Sequence, residues 1–213
     1  MDLYHVLNRG VEKRRVVEND ADRLRFLHDL YAFNDQNATL NYILPNRQKE
    51  RPRKLLVQIH AFCLMPNHYH MILSPLVENG IPLFMKKLSM GYTKYFNEKY
   101  DRSGALWQGK YKRILVERDA HFLYLPYYIH LNPLDLAFPE WREGKVKDTR
   151  KALEYLEKYR WSSHLDYMGI KNFPSITNRE FLSKTLGTRA EYEKEIGQII
   201  SNRELAQESN RFE

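Results

Sequence analysis

His68 and His70 stand one residue apart in the run Met65-Pro66-Asn67-His68-Tyr69-His70, with apolar stretches on both sides. If that run opens a strand, period-2 geometry puts both imidazoles on one face, about 7 Å apart at Cα. Two neutral imidazoles so placed can share one divalent cation. The pair alone is a weak signal, since unrelated strand histidines are commoner than ligand pairs. A working site also needs a third ligand and a reacting group. A later segment offers Tyr124, Tyr127, Tyr128, His130 and Asn132. Tyr128 and Asn132 are four apart and therefore stack on one face of a helix. A phenol, with a free pKa of about 10, attacks well only when a cation or base activates it. A metal-bound phosphate would meet that need. Spacing leaves Tyr124 and Tyr128 both open as the attacking group.

The elements that must position these residues follow from pattern. Leu3 to Leu7 reads as a strand ending at Asn8-Arg9-Gly10. Asn19-Asp20-Ala21-Asp22 caps a helix with Leu24, Leu27, Leu30 and Tyr31 on one face. Leu55 to Leu64 is an apolar run that reads as a buried strand, and His68 to Leu73 pairs back on it across Met65-Pro66-Asn67. Pro82 opens a helix with Phe84, Leu88, Tyr92 and Tyr95 at helical spacing. Lys112 to Val116 reads as a fourth strand, and Asp119 opens a helix that Pro133 stops. Pro126 removes a hydrogen bond inside that helix and predicts a kink. The order is strand, helix, strand, strand, helix, strand, helix. It predicts an α+β fold, a ferredoxin-like split βαβ core with an antiparallel sheet. Beyond it, Thr177 to Glu180 and Thr188 to Glu191 fit capping boxes, and Gly187 fits a helix stop, predicting a small helical C-terminal extension.

Lysine and arginine outnumber acids 34 to 27, for a net charge of +7. That balance favours an anionic partner. Between Lys86 and Arg113 the bases Lys94, Arg102, Lys110, Lys112 and Arg113 alternate with Tyr92, Tyr95, Phe96, Tyr100, Trp107 and Tyr111. Charge mixed with aromatics suits a single nucleic-acid strand, whose phosphates pair with the charges and whose bases stack on rings. Trp107 is the candidate stacking residue, with burial behind the sheet as the competing reading. Arg47, Arg51, Arg53 and Lys54 form a second basic cluster, and Arg9 closes the first strand. Cys63 is the only cysteine and reads as a small core residue. No apolar run approaches the roughly 20 residues a membrane helix needs, and the expected location is the cytoplasm.

Five landmarks occur in order: Tyr4-His5-Val6-Leu7-Asn8-Arg9-Gly10; Met65-Pro66-Asn67-His68-Tyr69-His70; Gly104-Ala105-Leu106-Trp107-Gln108-Gly109-Lys110-Tyr111-Lys112; Tyr128-Ile129-His130-Leu131-Asn132-Pro133; and Trp161-Ser162-Ser163. Together they resemble the single-tyrosine HUH transposases, and within them the REP-associated tyrosine transposases (IS200-like), over roughly residues 3 to 165. Residue 127 is Tyr where that family commonly has Arg. The resemblance implies a transposase domain over 1–165 and a helical extension over 166–213. It implies that His68 and His70 hold Mg²⁺ or Mn²⁺, that Tyr128 is the nucleophile, and that Asn132 is a further metal ligand. The implied reaction is transesterification on single-stranded DNA bearing a hairpin, through a 5′-phosphotyrosine. The resemblance favours a monomer over a homodimer. The competing function is a non-catalytic single-strand-binding module on the same fold, whose binding would survive loss of metal.

Overall fold

The computed structural model describes residues 2–37, 52–117 and 119–208. Four strands, β1 (Tyr4–Arg9), β2 (Val57–Leu64), β3 (His68–Pro75) and β4 (Lys112–Leu115), form one antiparallel sheet in the order β2-β3-β1-β4. Strands β1 and β2 flank β3, and α1 (Asp20–Ala32) links them, so the split βαβ topology is as expected. The hairpin register sets Leu7 opposite His70 and Arg9 opposite His68.

Alternation sorts the sheet's two faces. Val6, Tyr69, Met71 and Leu73 face one hydrophobic cluster, shared with α1 and α2 (Gly80–Lys99) through Phe26, Leu30, Phe84, Leu88 and Tyr92. Leu3, Cys63 and Ile72 face a second cluster, shared with α3 (Asp119–Leu131) through Leu125, Tyr128 and Ile129. The register of β2 on β3 shifts between Ile59 and Ala61. This bulge at His60 inverts the alternation, so Ile59 and Phe62 share one cluster while Ala61 and Cys63 share the other.

Local signals mostly decide the ends. Asn19 caps α1 in a capping box with Asp22, whose carboxylate also takes Lys99 Nζ at 2.5 Å and Tyr100 Oη at 2.7 Å, tying α1 to the end of α2. The buried stripe of α1 runs through Phe26, Leu27 and Leu30, whereas Leu24 and Tyr31 are exposed. Helix α2 starts two residues before Pro82, which sits harmlessly in its first turn. Helix α3 is continuous through Pro126. Pro133 does not stop the chain's winding: a 3-10 helix, Asn132–Leu136, follows directly, with the proline in its first turn, where no N–H is needed.

The C-terminal residues form α4 (Thr149–Lys158), α5 (His164–Tyr167), α6 (Glu180–Leu186), α7 (Arg189–Ser201) and α8 (Arg203–Gln207). Thr188 and Glu191 make the expected capping box of α7, and Gly187 ends α6 with φ of 72°. Thr177 is no cap, because α6 begins after Arg179. Its neighbour Asn178 donates its backbone N–H to Ile59 at 2.8 Å, holding the segment against β2 and delaying the helix. Tyr192, Ile196, Ile199 and Ile200 of α7 share one cluster with Tyr128 and Cys63, so the C-terminal helices share a core with the sheet. No helix among the described residues is long and apolar enough to cross a membrane.

Candidate active site

Register and helix spacing converge on one cavity. It encloses about 430 Å³ and is lined by Leu7, Asn8, Arg9, His68, His70, Gln108, Lys110, Lys112, Tyr128, Asn132, Asp135 and Arg142. Strands β1, β3 and β4 supply its floor, and α3 with the following 3-10 turns supplies its roof. The ring centroids of His68 and His70 are 5.0 Å apart with planes at 88°. The Tyr128 ring stands edge-on to His70 at 5.3 Å. Tyr128 is only 1% exposed, so it forms the cavity wall and not the outer surface.

Both histidines are held neutral. Burial lowers the His68 pKa to about 4, helped by the Arg9 charge and opposed by the Asn132 side chain. Burial and the neighbouring His5 and His68 rings push His70 well below its ordinary value. The proton positions follow from partners. His68 Nδ1 lies 2.6 Å from Asn67 Oδ1, an acceptor, so Nδ1 carries the hydrogen and Nε2 keeps the lone pair. Asn132 donates its Nδ2 to the Tyr128 carbonyl at 2.7 Å. Its Oδ1 is buried toward His68 without a hydrogen bond of ordinary geometry. Two imidazole lone pairs beside an unspent amide oxygen suit a divalent cation that accepts mixed nitrogen and oxygen ligands. Among the described residues no three His, Cys, Asp or Glu side chains gather for a metal.

Three residues here were not singled out from sequence. His5 Nε2 lies 2.9 Å from His70 Nδ1. Arg142 sits 5.6 Å from the Tyr128 ring centre and is forked onto Asp135, with Nε to Oδ1 at 2.8 Å and Nη2 to Oδ2 at 2.6 Å. Only His5 had a signal, its place in the first landmark. The other two lie past α3, where no periodicity marks them.

The candidate DNA-binding residues divide. Arg9, Lys110 and Lys112 line the cavity. Arg113 faces away, its guanidinium 5.1 Å from the Tyr4 ring centre, because alternation along β4 turns it to the opposite face. Lys94 lies in the helix layer behind the sheet, paired with Glu98, and Arg102 follows α2, bound to Asn97 and the Ala105 carbonyl. Arg53 stacks on Tyr31 at 3.5 Å and lines a different cavity at the β2 edge, with exposed Lys54 beside it in sequence. Arg47 and Arg51 lie outside the described residues. Trp107 corrects the stacking reading: it is 7% exposed and packs against Tyr69, Phe26 and Tyr92, where a ring of its size is driven from water.

A second buried network lies behind α3. His130 Nδ1 and His164 Nδ1 approach Tyr192 Oη at 2.7 and 3.0 Å, and His130 Nε2 approaches Ser163 Oγ at 2.7 Å. Ser163 Oγ accepts from the Phe62 N–H at 2.9 Å. The Trp161-Ser162-Ser163 landmark thus joins the tyrosine helix, α7 and the edge of β2.

The family model described as Transposase IS200 like matches residues 35–132. Over that segment, less than half of the chain, the protein is similar to the IS200-like transposases. The match contains His68, His70, Tyr128 and Asn132, and it ends on the last of these. No curated protein matches the chain. A solved structure described as a REP-associated tyrosine transposase bound to a REP hairpin is similar in shape. It has a TM-score of 0.47 and 13% identity, over 83% of this chain and 84% of that one.

Proposed function

We propose that the protein is a metal-dependent single-stranded DNA endonuclease and strand-transferase, with Tyr128 as nucleophile. The observation that carries this is the meeting of the Tyr128 ring with the His68–His70 pair in one cationic cavity, all three residues falling within the segment that matches the IS200-like transposase model. His68 and His70, with Asn132, would hold Mg²⁺ or Mn²⁺. When bound, the ion supplies Lewis-acid polarisation of a phosphate oxygen and screens the charge that develops there.

The chain's own residues account for the rest. Arg9, Lys110 and Lys112 attract the strand and neutralise its phosphates. Because Tyr128 is a wall residue, the phosphate must enter the cavity to meet it. The phenol oxygen then forms a bond to phosphorus and the bond to the 3′ oxygen breaks. The proton lost by the phenol is balanced by the one gained on the departing 3′-hydroxyl. A later 3′-hydroxyl attacks the phosphorus, the bond to the Tyr128 oxygen breaks, and the attacking hydroxyl's proton is balanced by the one the phenol regains. Water in its place would free the tyrosine and leave a 5′-phosphate end. A hairpin-bearing strand is the substrate class that the family resemblance carried by the five landmarks implies.

The test is cleavage of a labelled hairpin-bearing strand in Mn²⁺ and in chelator. Cleavage confined to Mn²⁺ supports the proposal. Binding unchanged by chelator, with no cleavage in either condition, would assign the protein to non-catalytic strand binding.

A further inference from the structure

We propose that His5 is a positioning residue for His70, fixing which ring nitrogen of His70 faces the cavity; this rests on the reading of His68 and His70 as metal ligands. His5 Nε2 lies 2.9 Å from His70 Nδ1, and the two rings stack with centroids 5.1 Å apart and planes at 21°. Both side chains are buried. The register sets His5 opposite Ile72 and Leu7 opposite His70, so the contact is the diagonal one between neighbouring strands.

The contact has a chemical consequence. One hydrogen lies between the two nitrogens, and two neutral rings can place it in two ways. If His5 donates, His70 must carry its own hydrogen on Nε2, where it blocks coordination. If His70 donates from Nδ1, its Nε2 keeps the lone pair and the ring can act as a ligand. A histidine ligand ordinarily gives its second N–H to an acceptor, which fixes tautomer and ring angle. Asn67 Oδ1 serves His68 in this way from the adjacent turn. His5 serves His70 across the sheet, and the two imidazoles then present equivalent Nε2 atoms.

His5 is not itself a third ligand. Its Nε2 is engaged with His70, and no three metal-binding side chains of the His, Cys, Asp or Glu type gather among the described residues. Its ring meets Tyr128 edge-on at 6.2 Å. A change at His5 therefore also touches the tyrosine, and the test must read the metal and the tautomer separately from cleavage.

The experiment measures Mn²⁺ affinity of the full chain by electron paramagnetic resonance, for wild type, His5→Phe, His5→Gln and His70→Ala. Long-range ¹⁵N–¹H correlation on the metal-free wild type reads the His70 tautomer. We expect the hydrogen on His70 Nδ1, an affinity about 10- to 100-fold weaker in His5→Phe, and partial recovery in His5→Gln, whose amide oxygen can accept. Wild-type affinity in His5→Phe alongside loss in His70→Ala overturns the proposal and leaves the ligand reading intact. So does a hydrogen found on His70 Nε2. Equal Mn²⁺ binding in wild type and His70→Ala, or none in either, overturns the ligand reading, and the role of His5 with it. If His5→Phe does not fold, the wild-type tautomer and His5→Gln decide.

Discussion

The phenol ring of Tyr128 meets the imidazole of His70 edge-on, centroids 5.3 Å apart and planes at 85°, although 58 positions separate them in the chain (128 − 70). Tyr124 and Tyr127 share the helix but not this contact. Tyr127 stacks on Tyr192 at 5.4 Å, against the C-terminal helix. Tyr124→Phe and Tyr127→Phe should therefore keep metal-dependent cleavage of a hairpin-bearing strand within a few-fold of wild type. Single-turnover cleavage rates check this, and a loss of 100-fold or more in Tyr124→Phe would move the reacting group one turn back.

Two ring nitrogens depend on Tyr192 Oη, from His130 and His164. Tyr192→Phe keeps the ring and strands both. Leaving a buried polar group unsatisfied costs about 1–3 kcal/mol, and in a chain of this size each kcal/mol lowers Tm by about 2–4 °C. Calorimetry should show that fall. An unchanged Tm would mean that the two histidines find other partners.

Stability should fall with acid from near neutrality. Burial holds His60 and His164 at a pKa of about 4 and His130 well below its ordinary value. Each folded group stays neutral where its unfolded form, with a pKa of about 6.5, takes up a proton. Between pH 6.5 and 4 the unfolded chain therefore binds more protons, so stability is full above that window and is lost as pH falls through it. At pH 5.5 the loss is about 1 kcal/mol per buried histidine. Urea midpoints at pH 7.5 and 5.5 measure it; equal midpoints would show that these rings are already charged in the fold.

Salt dependence should separate the basic residues by face. Lys110→Ala and Lys112→Ala, at the cavity, should each weaken single-strand binding and lower the slope of log affinity against log salt by about 0.7. Lys94→Ala, in the layer behind the sheet, should change neither. Binding isotherms at three salt concentrations distinguish them, and an equal effect of Lys94→Ala would place the strand on another surface.

Period-2 and helical spacing made the sheet, its strand order and the His68–His70 face legible, because backbone geometry repeats locally. Capping chemistry did the same for Asn19 and Thr188. The five landmarks, through family resemblance, singled out Tyr128, a choice spacing alone left open. Other features depend on contacts between distant residues. The His5–His70 pair joins neighbouring strands across 65 positions, and no periodicity marks its hydrogen bond. Arg142 and Asp135 come from irregular 3-10 turns. Trp107 lies in a stretch of mixed bases and aromatics, so its neighbours suggested a surface while its own bulk put it in the core. Four-residue β4 gave too little alternation to tell the face of Lys112 from that of Arg113.

The most direct measurement is the site of covalent attachment. The full chain is incubated with a hairpin-bearing single strand and Mn²⁺, denatured, digested and mapped by mass spectrometry. The account predicts a 5′-phosphonucleotide on the peptide carrying Tyr128, and no adduct in Tyr128→Phe or after chelation. An adduct on any other residue, or cleavage by wild type that passes through no adduct at all, would contradict it.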